Sequence, residues 1–350
     1  MEGYRGTRQP AATVIGMVLK RLAGALPNVI GVVIVTFLLT RALPGDPAAY
    51  FAGPSATAEA IQQIRASLGL DKPLAHQFAL YLRDLAKGDL GNSLSTGQPV
   101  LTEIRQRLPA SLELTLCGLV LALSVAVPLG ILAATRPGSW IDHLCRLLAT
   151  AGVSLPTFFT GLLLAYVFYF LLGVAPSPLG RIDVAFSPPP TVTGLYLVDS
   201  LLARDAALFW ACGGQLVLPA VTLGLFVMAP LMRMTRASML GVLSSEFIRT
   251  ARASGLPRTK VLYAYAFRNA LLPVVTTLGM VFSFLLGSNV LVEKVFAWPG
   301  IGSFAIEALI ASDFAPVQGF VLTMAIMYVG LNLLIDILYG LIDPRVRIEA

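Results

Sequence analysis

Asn269-Ala-Leu-Leu-Pro-Val-Val-Thr-Thr-Leu-Gly-Met-Val-Phe-Ser-Phe-Leu-Leu-Gly-Ser-Asn-Val-Leu-Val292 is a run of 24 residues without a charge, closed by Arg268 and Glu293. About 20 mostly apolar residues in a helix cross a hydrocarbon core ~30 Å thick, so this run is long enough to span a bilayer. Five more gaps between charges have the same character. Arg21 to Arg41 leaves 19 residues, Glu113 to Arg136 leaves 22, and Asp205 to Arg233 leaves 27. Arg146 to Arg181 leaves 34, of which the first 27 are strongly apolar. Asp313 to Asp336 leaves 22, and the apolar run continues to Ile342. The gap from Asp183 to Asp199 is only 15 residues and holds Pro188, Pro189 and Pro190, so it is not a span. The expectation is six transmembrane helices, at 22–41, 111–135, 147–173, 206–232, 271–292 and 317–342. The first is longer than the 7–15-residue apolar region of a signal peptide and is read as a retained helix.

Composition agrees. Of the 350 residues, 56% are hydrophobic and only 13% charged. Soluble domains carry about 25% charged residues, and half that share cannot cover a soluble protein of this size. Disorder needs the opposite balance, and the 31 Gly and 23 Pro show no period. The net charge of +6 is ascribed to cytoplasmic loops and not to a nucleic-acid surface, and no nucleic-acid partner is expected. Cys117, Cys145 and Cys212 lie in or beside apolar runs and read as small buried hydrophobes. The two His, His76 and His143, are far apart, and no metal site is expected.

Orientation follows from Lys and Arg in the loops. With the N-terminus inside, the cytoplasmic pieces hold 15 Lys/Arg against five acids; the external pieces hold nine against 12. This places 1–21, 136–146, 233–270 and 343–350 in the cytoplasm, and 42–110, 174–205 and 293–316 outside. Ser93 falls outside and Ser254 inside. In 42–110, a helix is expected from Thr57 to Leu68 with Gly69 after it, and another from about Leu74 to Lys87 ended by Gly88. Residues 173–205 are Pro-rich and read as irregular.

The loop 233–270 is the most informative. Ser244 or Ser245 can cap a short helix, Glu246 suits its positive end, Gly255 supplies a residue with positive φ, and Pro257 stops it. Thr259 can cap a second helix to about Leu272, with Pro273 disturbing the entry to the fifth span. Phe247, Ile248 and Ala251 form an apolar face of the short helix; Arg249 and Arg252 lie elsewhere. From physics alone the segment is either a knob held in the groove of a soluble partner or an amphipathic helix resting on lipid.

Glu246-Phe-Ile-Arg-Thr-Ala-Arg-Ala-Ser-Gly255, followed by Phe267-Arg-Asn-Ala-Leu-Leu-Pro273, resembles the coupling-loop signature of binding-protein-dependent ABC importer permeases. Arg249-Thr250-Ala251 stands where the general pattern has Glu-Ala-Ala. The long spacing from Gly255 to Pro273 is similar to the dipeptide and oligopeptide branch. Leu43-Pro-Gly-Asp-Pro47, Leu68-Gly-Leu-Asp-Lys-Pro73, Gly88-Asp-Leu-Gly-Asn-Ser93, Arg107-Leu-Pro-Ala-Ser-Leu-Glu-Leu114 and Gly152-Val-Ser-Leu-Pro156 resemble the first half of that branch. Glu293-Lys-Val-Phe-Ala-Trp-Pro-Gly-Ile-Gly302 and Asp343-Pro-Arg-Val-Arg347 resemble the second. No function is carried onto 181–210, the poorest match.

The resemblance implies an all-α, six-span permease in the bacterial inner membrane, the first of two homologous permeases, in contact with membrane lipid. It implies two cytoplasmic ATPase subunits docked at Glu246, Phe247, Arg249, Thr250, Ala251, Arg252, Ala253 and Gly255, and an extracytoplasmic peptide-binding protein docked on the 42–110 and 293–316 face. The implied substrate is a di- or oligopeptide carried by alternating access; related branches carry glutathione, nickel chelates or sugars.

The chain itself offers no catalytic constellation. A P-loop Lys follows a Gly, and none of Lys20, Lys72, Lys87, Lys260 or Lys294 does. No cofactor or enzymatic role is expected, which disfavours an intramembrane enzyme. An ion-coupled secondary transporter would not need the short helix. Within or beside the spans, Asn289 with Glu293 and Asn332 with Asp336 are i,i+4 pairs that share a helix face. They are candidates for the substrate path, against the alternative of interhelical hydrogen bonding. Pro128 and Pro156 can kink the second and third spans.

Overall fold

The computed structural model describes residues 11–42, 46–53 and 55–342. The expectations for 1–10, for Leu43-Pro-Gly45 and for the Asp343–Arg347 motif and tail lie outside the described residues.

In chain order the helices are α1 (Ala11–Ala42), α2 (Pro47–Ala52), α3 (Ala58–Ser67), α4 (Leu74–Ala86), α5 (Val100–Thr135), α6 (Trp140–Ser154) and α7 (Thr157–Leu164). A π-helical stretch, Ala165–Leu171, continues α7. Then come α8 (Tyr196–Leu202), α9 (Ala206–Leu243), α10 (Glu246–Ala253) and α11 (Arg258–Lys260). A second π-helical stretch, Val261–Phe267, joins α11 to α12 (Arg268–Val295); α13 (Ile301–Ile310) and α14 (Phe314–Ile342) follow. The described residues contain no strand beyond an isolated bridge between Asn92 and Pro99.

Among the described residues, five helical stretches are long and apolar enough to cross a membrane: Ala23–Ala42, Val100–Thr135, Ala206–Leu243, Arg258–Val295 and Phe314–Tyr339. The expected third span is not one helix. It is interrupted after Ser154, where Leu155 is extended (φ −108°, ψ 139°) and α7 starts behind Pro156. Proline lacks the N–H a continuing helix would use, and it pushes the preceding residue out of the helical region. Pro128 and Pro273, by contrast, sit inside continuous helices.

The helix α9 is central, packed against α5, α12, α6 and α7. Small residues let the backbones approach. A Cβ built on Gly130 of α5 would lie 2.7 Å from Thr235 Cβ of α9, and one on Gly224 of α9 2.8 Å from Leu121 Cδ2 of α5. The core around these contacts holds Leu114, Leu223, Leu231, Met232 and Leu285. The helix α1 packs on α14 at the edge, leaving Ile30, Ile34, Val35, Leu38 and Leu39 exposed.

The segment between α1 and α5 contains the two expected helices, α3 and α4, and the short α2, which was not expected. The Thr57 hydroxyl accepts from Ala60 N at 3.3 Å, and Gly69 and Gly88 have φ of +67° and +77°. Phe37 of α1 meets Phe78 and Tyr81 of α4, so α4 folds back onto the end of the first span. The Ser93 hydroxyl donates to Asp313 at 2.7 Å, which ties this segment to the start of α14.

Candidate coupling helix and polar clusters

The short helix α10 matches its expected limits. Ser245 is the N-cap in backbone terms, but its hydroxyl donates to Val242 O at 2.6 Å and does not cap. At the other end Gly255 has φ +74°; its N–H reaches Arg252 O at 3.0 Å, and Leu256 N–H reaches Ala251 O at 3.4 Å. This is a Schellman ending, which requires a left-handed residue at Gly255.

The expected apolar face is divided. Ile248 and Ala251 are buried in the chain's own core, against Ile131 and Ala134 of α5, Met239 of α9, and Val261, Ala266 and Ala270. Phe247 is exposed, because at 100° per residue it stands well round the helix from the axis between Ile248 and Ala251. Glu246, Arg249, Thr250, Arg252, Ala253 and Gly255 are exposed with it. Glu246 and Arg249 form a surface pair at 3.0 Å, of a kind worth little. The second helix of the loop also differs from expectation. Pro257, not Thr259, precedes it, and it does not end near Leu272 but runs on into α12. The short helix is thus seated on three long helices and presents one polar face with a single aromatic.

Asn289 and Glu293 are buried together at one end of α12. The Asn289 amide donates to Ser111 O (3.2 Å), Thr115 Oγ1 (3.1 Å) and Glu293 Oε1 (3.1 Å). Glu293 also accepts the Ser111 hydroxyl and, at 2.8 Å, the Ser303 N–H. Trp298 Nε1 donates to Ala110 O at 2.9 Å. A Cβ on Gly300 would overlap the Glu293 carboxylate. The Glu293–Gly302 motif therefore folds back on α5, and its acid joins α5, α12 and α13. Phe320, Met324 and Met327 of α14 line the small cavity beside it. Asn332 is exposed and Asp336 half-buried. They lie five or more residues past Met327, about 7 Å of rise or more.

Two ion pairs escaped the sequence reading. Glu113 of α5 and Arg181 are both buried and meet at 2.6 Å. Arg181 also donates to Gly194 O (2.8 Å) and lies 3.6 Å above the Tyr196 ring, and Glu113 accepts Leu197 N–H (2.8 Å). Asp199 accepts the N–H groups of Val192, Thr193 and Gly194. The 181–199 stretch is pinned by these contacts. The second pair joins Asp142 of α6 to Arg236 of α9 through Nε (2.5 Å) and Nη2 (2.8 Å). The Arg236 hydrogen bonds hold the Asp142 carboxyl down to about 2. In sequence Glu113 and Arg181 only marked the ends of apolar runs, and Asp142 and Arg236 only counted among the cytoplasmic loop charges.

Residues 126–348 match the family model described as binding-protein-dependent transport system inner membrane component, and residues 14–115 match its N-terminal companion. The chain belongs to this family. The permease is 44% identical over 327 residues to a protein of Escherichia coli K12 named as a probable D,D-dipeptide transport system permease protein, covering 93% of this chain and 96% of that one. It is 40% identical over 329 residues to the dipeptide transport system permease protein DppB of Alkalihalophilus pseudofirmus, covering 94% and 98%. It is also 40% identical over 338 residues to the di/tripeptide transport system permease protein DppB of Pseudomonas aeruginosa, covering 95% and 99%. The permease is an all-α, multi-pass inner-membrane component of a binding-protein-dependent transport system, as the sequence resemblance implied.

Proposed function

We propose that this permease is the non-catalytic membrane subunit of an ATP-driven importer of short peptides. It forms the path with a second, homologous permease. Two cytoplasmic ATPases dock at the α10 segment, and an extracytoplasmic peptide-binding protein delivers the substrate. Both termini lie in the cytoplasm, with six crossings, the third being the interrupted α6–α7 pair. Motion of the ATPases moves α10 and, through it, the long helices, so that the path opens to one side at a time.

The observation that carries this reading is the seating of α10. Its inner face is locked to α5, α9 and the start of α12 through Ile248 and Ala251, while its outer face offers Phe247, Arg249, Thr250 and Arg252. A helix merely resting on lipid would turn its apolar residues outward. The relatives named above, all peptide permeases by name, support the substrate class.

Gly255→Val tests the coupling. Nothing lies within 4 Å of a Cβ at this position, so the only fault introduced is the side chain at φ +74°, a strain of about 1–2 kcal/mol. The variant is expected in the membrane at a near-normal level, yet to co-purify poorly with its ATPases and to fail in uptake. Normal ATPase retention with normal uptake would show that α10 is not the coupling element.

A further inference from the structure

The break between α6 and α7 lies at mid-depth. A Cβ on Gly152 would approach Leu225 O of α9 to 2.9 Å, and Leu225 stands eight residues from Arg233, about 12 Å of helix rise. Beyond the break, the apolar Thr157–Leu171 segment provides a further ~20 Å. Pro156 gives α7 no side-chain cap. Among the described residues, the first backbone bond of α7 is Thr160 N to Pro156 O, and the N–H groups of Phe158 and Phe159 find no partner. Non-helical backbone at membrane depth is tolerated where protein buries it or water reaches it, not against lipid. Ser154, Leu155, Pro156, Phe158 and Phe159 are exposed and Thr157 is buried, so this chain covers only part of the break.

A second observation leads to the same place. His143, Arg146, Thr150 and Ser154 are all exposed, and their spacing of three, four and four puts them on one face of α6. His143 and Arg146 touch at 3.1 Å, where α6 begins. The stripe then runs along the helix to the break. The opposite face, with Cys145 and Ala149, is buried. The same face also carries exposed Leu147, and the Thr150 and Ser154 hydroxyls donate to Arg146 O and Thr150 O of their own helix; what a lipid covering would leave unsatisfied is the uncapped backbone of the break.

We propose that the α6 stripe and the Ser154–Phe159 break line the water-filled path by which the solute leaves toward the cytoplasm, with Arg146 and His143 at its mouth. This rests on the importer reading. The test uses the whole importer in inverted vesicles carrying Ser154→Cys, Thr150→Cys or, beside exposed Ile34, Leu38 and Leu39 on α1, Val35→Cys. The parent, whose Cys117 is half-buried and Cys145 and Cys212 buried, sets the background. Thiols react as thiolates, which form in water and not in hydrocarbon. A charged, impermeant methanethiosulfonate should modify Ser154→Cys and Thr150→Cys at least about tenfold faster than Val35→Cys, and modification of Ser154→Cys should stop uptake of a labelled dipeptide. Equal slowness of all three, with normal reaction in detergent, would mean that the face is lipid-covered and would overturn the proposal. So would fast reaction only after the second permease is stripped away, or fast reaction with uptake unchanged. If the parent importer carries no dipeptide, the substrate reading fails, while the rate comparison still decides whether water reaches the break.

Discussion

Replacing Arg181 with Met removes one partner of a buried ion pair and leaves the other. Glu113 and Arg181 have side chains 5% and 6% exposed and meet at 2.6 Å. Arg181→Met would strand the Glu113 carboxylate with one remaining contact, the Leu197 N–H at 2.8 Å. It would also remove the donor to Gly194 O and the cation over Tyr196. Stranding a buried charge in this way costs about 3–5 kcal/mol. Unfolding entropy of about 2 cal/mol/K per residue over 350 residues gives about 0.7 kcal/mol per degree, so the midpoint should fall by about 4–7 °C. The assay is thermal unfolding of the purified importer in detergent, followed by the reactivity of the buried Cys212. Two companions isolate the cause. Arg181→Lys keeps the charge but loses the planar stack, and should fall between parent and Arg181→Met. Glu113→Leu with Arg181→Met removes both charges and should recover most of the loss, because an apolar pair of similar size is often as stable as a buried ion pair. A midpoint for Arg181→Met within about a degree of the parent, or a double variant no better than the single, would refute the claim that the pair anchors the 181–199 loop.

Topology is checked by thiol labelling in sealed right-side-out vesicles. Ser93 is buried against Asp313, so exposed Thr96 is the better reporter. Thr96→Cys should react with an impermeant reagent and Ser254→Cys should not; labelling at 254 would overturn the assigned orientation. Asp142 should give an acid-side signature. Its folded pKa lies below the unfolded value of about 3.9, so its contribution is present above about pH 4 and is lost as pH falls toward about 2. Asp142→Asn should flatten the melting-temperature slope in that window, and an unchanged slope would show that the Arg236 contact does not form. The purified chain alone in liposomes should neither hydrolyse ATP nor accumulate peptide, measured by phosphate release and uptake; activity there would remove the need for ATPase partners.

Much of the fold was legible because membrane spans are written in one dimension. Charges bound them, and the gap between Arg268 and Glu293 located α12 within a turn at both ends, whereas the gap from Asp205 to Arg233 located only the start of α9, which runs on past Arg233 to Leu243. Local chemistry was equally readable: Thr57, Gly69, Gly88 and Gly255 act through the backbone of their own segment. Partnership across the fold was not. Glu113 and Arg181 are 68 residues apart and Asp142 and Arg236 are 94 apart. Each looks like a solvated charge at the edge of a span until helix packing brings it to its partner. Pro156 shows the same limit. Pro128, Pro156 and Pro273 offer identical sequence signals, yet only Pro156 interrupts its helix. Beside that break, α6 is drawn against α9 at Gly152 and tied to Arg236 through Asp142.

That tie bears on how a movement at α10 would reach the interrupted third span. The buried residues of α10 contact the ends of α5, α9 and the α11–α12 continuation, but none of these contacts is with α6. The route to α6 passes through α9. Arg236 lies three residues before Met239, which supports Ile248, and Arg236 holds Asp142 by two hydrogen bonds. A push on α10 that turns this end of α9 must therefore carry the first turn of α6 or break a bidentate ion pair. Beyond Ser154 the helix is interrupted, and α7 packs separately through Gly161 against Thr222 and Phe296. The Asp142–Arg236 pair therefore joins the α10 end of α9 to the helix that ends at the Pro156 break.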